Sequence, residues 1–199
     1  MSLFKLFFLY LKSQDPIYDL FFKGKKVLDV GCGTGENLRK NKELMYGFDI
    51  NEKVIAKLVA EGYMVKQGDV INIPFEDDFF EVIYNRNIIE HLDPAEAQKM
   101  FLEMKRVLKK DGKIILISPM PKTVWNTFGH IKPYPPAAIK KLFRPVSLES
   151  FDSVRGMEIE QVFYYGIWSK NKFFFIVSTF LAQFFDYFRG LYLLIIRKQ

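Results

Sequence analysis

The stretch that most restricts this chain is Val27-Leu28-Asp29-Val30-Gly31-Cys32-Gly33-Thr34-Gly35-Glu36. A compact apolar run interrupted only by Asp29 stops at Gly31, the pattern of a buried strand. Glycines at 31, 33 and 35 follow at once. Such a turn lets a ligand lie against bare backbone where a side chain would clash. In an open α/β sheet, ligands bind beyond the carboxyl ends of the strands, where this turn falls. The bland alternative is a tight turn that holds nothing.

The turn also restricts the ligand. A dinucleotide fingerprint reads G-x-G-x-x-G and sets pyrophosphate on a helix N-terminus. Here Glu36 stands at the sixth position, at the expected helix start. A carboxylate there would repel a diphosphate, yet suits the helix dipole and tolerates a cationic ligand. No Gly-Lys-Ser/Thr follows, which excludes a phosphate-cradling P-loop. Asp49 ends the next apolar run, 20 residues after Asp29, where a carboxylate can accept from both ribose hydroxyls. Asp69 lies just past the third run, and Asp29 stands near the same sheet edge. The placement predicts a nucleoside ligand without phosphates.

The remaining punctuation fits one domain with alternating elements. Short helices are expected over 3–11 and 16–22, and strands at Val27–Val30, Leu44–Asp49, Tyr63–Gln67, Phe79–Tyr84 and Lys113–Ser118. Asn51 can cap a helix with the apolar face Val54, Ile55, Leu58 and Val59, closed by Gly62. Asp93, Pro94 and Glu96 predict a capping box, and Met100, Phe101, Met104, Val107 and Leu108 a buried stripe. Beyond Ser118, five prolines mark a long loop. A helix at Ala137–Phe143, a strand at Met157–Tyr164, a Phe-rich helix at Lys170–Phe188 and a strand at Leu191–Ile196 complete the chain. The expected fold class is α/β: a Rossmann-like, seven-stranded, mostly parallel sheet with helices on both faces and an antiparallel last strand. Its parts are an N-terminal helical segment (1–26), a ligand-binding core (27–118), and a substrate-side loop with closing elements (119–199).

Composition restricts the partners. One cysteine, Cys32, permits neither an intrachain disulfide nor a Cys-based zinc site, so no metal is expected and a cytoplasmic location is the default. The longest chargeless apolar-rich run near the ends, Phe173–Phe185, has 13 residues, short of the roughly 20 of a bilayer span. The first 12 residues make a poor signal peptide. The formal charge is +6, and Gly112–Leu148 carries six Lys or Arg and no acid, a field that favours an anionic partner. Phe174, Val177, Leu181, Phe184 and Phe188 recur at helical spacing. They either pack on the sheet or form an apolar rim for a hydrophobic acceptor or a membrane surface.

Val27–Glu36, Tyr46–Ile50, Gly68-Asp69-Val70, Pro74-Phe75 with Phe79–Ile83, Glu90-His91-Leu92 and Lys105–Gly112 together resemble the class I S-adenosylmethionine-dependent methyltransferases, closest to the small-molecule branch that includes quinone methylases. The resemblance implies S-adenosyl-L-methionine as cofactor. It places Gly31, Cys32 and Gly33 against the methionine part with Asp29 beside them. Asp49 with Ile50 would take the ribose, and Asp69 and Val70 the adenine, while Asn85 would stand at the methyl-transfer end. The implied reaction is methyl transfer to a small, hydrophobic or anionic acceptor, where alignment is the main task and a base is needed only if the acceptor loses a proton. The candidate bases are His91, His130 and Tyr134. A non-catalytic cofactor-binding module and an RNA or protein methylase are the alternatives. Nucleic acid is the weaker partner: strand four ends Ile83-Tyr84-Asn85-Arg86 without an Asn-Pro-Pro-Tyr-type motif, and no RNA-binding motif is appended.

Overall fold

The computed structural model describes residues 15–144, 153–166 and 172–199. The helix expected over 3–11 lies outside them. Strands β1 (Val27–Val30), β2 (Met45–Asp49), β3 (Met64–Gln67), β4 (Phe80–Arg86), β5 (Leu108–Pro119), β6 (Met157–Tyr165) and β7 (Leu191–Lys198) form one sheet. Its order is β3-β2-β1-β4-β5-β7-β6. The first five strands pair in parallel, and β7 runs antiparallel to both β5 and β6.

The helices are α1 (Glu52–Ala60), α2 (Pro94–Val107), α3 (Pro121–Val124), α4 (Pro136–Leu142) and α5 (Lys172–Ala182). Asn51 caps α1 by accepting from the Lys53 and Val54 N–H groups, and Asp93 with Glu96 forms the expected capping box on α2. Leu28, Val30, Ile83, Ile114 and Leu116 bury one sheet face with Met100, Phe101 and Met104 of α2. Val27, Val82, Ile115 and Ile117 bury the other with Ile55, Leu58 and Phe22. Both faces are covered, which is why the strands read as continuous apolar runs.

Three expectations need correction. No α-helix follows β1; residues beyond the glycine turn form a single 3-10 turn, Leu38–Lys40. Gly33 and Gly35 take positive φ of 48° and 79°. The Asn41 side chain then accepts from Glu43 and Leu44, so too few residues lie between to nucleate a helix. Glu36 is exposed and has no helix dipole to suit. The Phe-rich helix ends at Ala182: the Gln183 carboxamide turns to the Tyr164 backbone, and Arg189 Nε donates to the Ala182 carbonyl at 2.9 Å. The chain past Ser118 is also less irregular than its prolines suggest, because Pro121 opens the short α3 as a first-turn proline.

The parallel order reverses between β1 and β4: the chain leaves β1 toward β2 and β3, then crosses back to β4. The two strands pair with Val30 opposite Asn85. A crevice forms beyond the carboxyl ends at such a switch point, and the glycine turn is its lip.

Candidate active site

The crevice edge beside the glycine turn is built around Asp49, at the end of β2. Its Oδ2 accepts from the Gly33 N–H and its Oδ1 from the Asn51 N–H, each at 2.9 Å. The carboxylate thus pins the glycine turn from β1 while capping the approach to α1. An ionised carboxylate has about four acceptor positions, so two remain for vicinal hydroxyls. A Cβ on Gly33 would meet nothing within 4 Å, which leaves open space above that backbone. A Cβ on Gly31 would meet Ile88 Cδ1 at 2.6 Å, and Gly31 itself sits at φ 65°.

Ile50 is 70% exposed, an apolar side chain beside the Asp49 carboxylate and suited to lie against a base. The Gly68 N–H donates to the Asp49 carbonyl at 3.1 Å, which brings the loop after β3 to the same edge. There Asp69 Oδ1 accepts from the Ile71 N–H at 3.1 Å, and the half-buried Val70 packs on the core.

Asp29 is only 5% exposed, and its Oδ2 accepts from the Asn37 amide at 3.1 Å. Burial pushes its carboxyl up to about 7, with the Asn37 bond and nearby Lys40 pulling the other way. A carboxyl poised there becomes ionised readily when a cation approaches. No spacing pattern marks Asn37, an asparagine within a turn, as the partner of a strand carboxylate.

Two expected cofactor contacts stand elsewhere. The Cys32 side chain points into the core against Gly47, and burial pushes its thiol up to about 12, so only its backbone belongs to the turn. Asn85 is wholly buried and donates its amide to Met100 Sδ at 3.4 Å; its side chain faces α2 and does not line the open crevice. The pleat of β4 decides this, since alternate residues face opposite sides.

A second cluster of polar side chains lies after β4 and β5. His91 and His130 meet edge to face with ring centroids 4.7 Å apart. Their Nδ1 atoms contact backbone carbonyls, His91 that of Gly129 at 3.2 Å and His130 that of Val124 at 2.5 Å. Glu90, overlooked as a chemical group in the sequence, is 1% exposed, and burial holds its carboxyl above the usual range. Its Oε2 accepts from the Ser118 hydroxyl at 3.1 Å. Glu90, His91 and His130 together form a group that could hold a metal ion, where the sequence suggests none. The Tyr134 hydroxyl donates to the Leu92 carbonyl at 2.9 Å, and burial pushes it up to about 12. Lys122 is tied to the Asp186 and Tyr187 carbonyls, so it is no free anion ligand.

An adenosyl sulfonium fits this edge: open backbone at Gly33, spare acceptor positions on Asp49, an exposed apolar side chain at Ile50 and a carboxyl at Asp29 that a cation would ionise. Comparison with known proteins agrees. Residues 28–116 match the family described as methyltransferase domain. Over 149 residues the chain is 26% identical to a demethylmenaquinone methyltransferase of Lactobacillus johnsonii, covering 62% of this chain and 60% of that protein. Over 104 residues it is 29% identical to a tRNA (carboxymethyluridine(34)-5-O)-methyltransferase of Arabidopsis thaliana, covering 51% of this chain and 24% of that protein. The chain therefore spans less than two thirds of either relative. A crystal structure of a SAM-dependent methyltransferase from Archaeoglobus fulgidus superimposes with TM-score 0.63 at 24% identity, covering 92% of this chain and 90% of that one. This last likeness concerns the fold alone.

Proposed function

Taking residues 28–116 as a class I S-adenosylmethionine-dependent methyltransferase domain, we propose that the protein transfers a methyl group to a small hydrophobic or anionic acceptor. S-adenosylmethionine, when bound, supplies a methyl group already activated on a sulfonium. The chain's task is then alignment and exclusion of water. In this reading Gly31 and Gly33 give the backbone cradle, Asp29 faces the cationic end, Asp49 holds the ribose, and Ile50, Asp69 and Val70 flank the adenine. His91, His130 and Glu90 contact the acceptor.

The observation that carries the acceptor class is the loop after β5. Its Ile131 and Lys132 N–H groups donate to the Glu90 carbonyl, which stitches it to the segment after β4. It presents Trp125, Phe128 and Ile131 to solvent beside Lys132. Apolar surface beside a cation suits a ring or chain bearing an anionic group. Phe173, Phe184, Phe185 and Tyr187, on α5 and in the turn after it, are exposed as well. They support peripheral contact with a membrane that carries the acceptor. No helix among the described residues is long and apolar enough to cross one. A cytoplasmic site of action belongs to the same reading, supported by the buried free thiol of Cys32. An RNA acceptor is the second reading, favoured by the plant tRNA relative and the basic stretch after Gly112.

The test is release of S-adenosylhomocysteine with panels of phenolic and quinol lipids, small anionic acids and tRNA. Turnover with the first two panels and none with tRNA is expected. Turnover with tRNA alone overturns the small-molecule reading, and cofactor binding without turnover on any panel leaves a binding module. Vesicle co-sedimentation checks the membrane contact, and a protein absent from the lipid pellet removes it.

A further inference from the structure

We propose that Glu90, His91 and His130 form a binding site for one divalent transition-metal ion, of the zinc, cobalt or ferrous class, that holds an oxygen of the acceptor. One ligand atom from each of the three lies within 4.8 Å of the others. Both imidazoles are oriented as metal ligands usually are, with Nδ1–H directed at a backbone carbonyl, Gly129 for His91 and Val124 for His130. A neutral ring fixed in that way carries its lone pair on Nε2. Glu90 supplies the independent sign. It is 1% exposed, its Oε2 is held by Ser118, and its Oε1 is buried with no hydrogen-bond partner. A carboxylate oxygen left unpaired inside a protein is costly unless a cation or a donor completes it.

The donor set selects the ion. Two imidazoles and one carboxylate suit zinc and its transition-metal neighbours, whereas magnesium and calcium prefer oxygen alone. Ligands around a tetrahedral ion with bonds near 2.0–2.1 Å sit about 3.4 Å apart, so the triangle closes by up to about 1.4 Å on binding. Three protein ligands leave a coordination position open, and His91 lies at the surface where an acceptor can reach it. An acceptor hydroxyl at that position loses its proton to solvent more easily. Its oxygen then forms the C–O bond as the C–S bond of the donor breaks, leaving the thioether. This use of the ion rests on the proposed reaction; the ion's binding does not.

The experiment separates the two. The full chain, stripped with a chelator and free of cofactor, is titrated with Zn²⁺ by calorimetry and with Co²⁺ by visible absorption. One equivalent bound is expected, with an intense low-coordinate cobalt spectrum. His91→Ala, at an exposed position, and His130→Ala should each weaken binding at least about tenfold, and Glu90→Gln similarly. Circular dichroism verifies folding, and His91→Ala decides if the buried Glu90 variant fails to fold. No stoichiometric binding, or binding unchanged in folded His91→Ala and His130→Ala, overturns the site. S-adenosylmethionine affinity measured on the same samples tests the cofactor reading separately, since a chain that takes the cofactor and no metal loses only this proposal.

Discussion

Asp49→Ala removes two bonds within the protein and, in the proposed reading, two more to the ribose. The Gly33 and Asn51 N–H groups each lose a charged acceptor at 2.9 Å. Bonds to charged groups contribute roughly 1.5–3 kcal/mol each, and the lower end applies because the site is half open to water. The free protein should lose about 2–4 kcal/mol. For a chain of this size that lowers Tm by roughly 5–15 °C. The effect on the cofactor adds to this: losing ribose acceptors and loosening the Gly33 turn should weaken S-adenosylmethionine by about 1.4–3 kcal/mol, tenfold or more. Asp49→Asn keeps one acceptor oxygen, so it should fall between wild type and Asp49→Ala in both readouts. Differential scanning calorimetry gives the first quantity and titration calorimetry the second, on the same preparations. A Tm within a degree of wild type refutes the pinning of the turn. A lowered Tm with unchanged affinity refutes the ribose assignment alone.

Three further outcomes follow from two buried polar groups. Because folding raises the Asp29 carboxyl to about 7, the folded state holds the extra proton between about pH 4 and 7. Its contribution therefore favours the folded state below about pH 4, declines as pH rises from there through about 7, and is flat above, an effect on the order of 4 kcal/mol that Asp29→Asn should abolish in urea melts across pH. Affinity for the cationic cofactor should instead rise from about pH 6 to about pH 8 with a proton released on binding, and calorimetry showing no proton release would refute the contact. Asn85→Val, only slightly larger and suited to a strand, removes a buried oxygen with no partner and should be neutral or stabilise by about 1 kcal/mol in denaturant melts. A loss above about 2 kcal/mol would mean that the oxygen is satisfied in solution.

Much of the site was legible in one dimension because it is local. The strand, the glycine turn and Asp49 are encoded by apolar runs and by residues that permit positive φ, and these depend on near neighbours. The capping box on α2 was legible for the same reason. The absent helix after β1 was not, because asparagine side chains at 37 and 41 compete with the helix ladder through bonds that composition does not reveal. Nor was the direction of Asn85, which the pleat and the position of Met100 decide.

The sequence alone thus determined an α/β sheet with a ligand turn beyond its first strand, since strand and turn signals act over a few residues. Tertiary structure alone decided the cluster beyond β4 and β5. Ser118 and His130 lie 28 and 40 positions after Glu90 along the chain and meet it only because β4 and β5 lie side by side in the sheet. Packing also decided which carboxyls lose their water, and that loss rather than residue type is what makes Asp29 and Glu90 unusual.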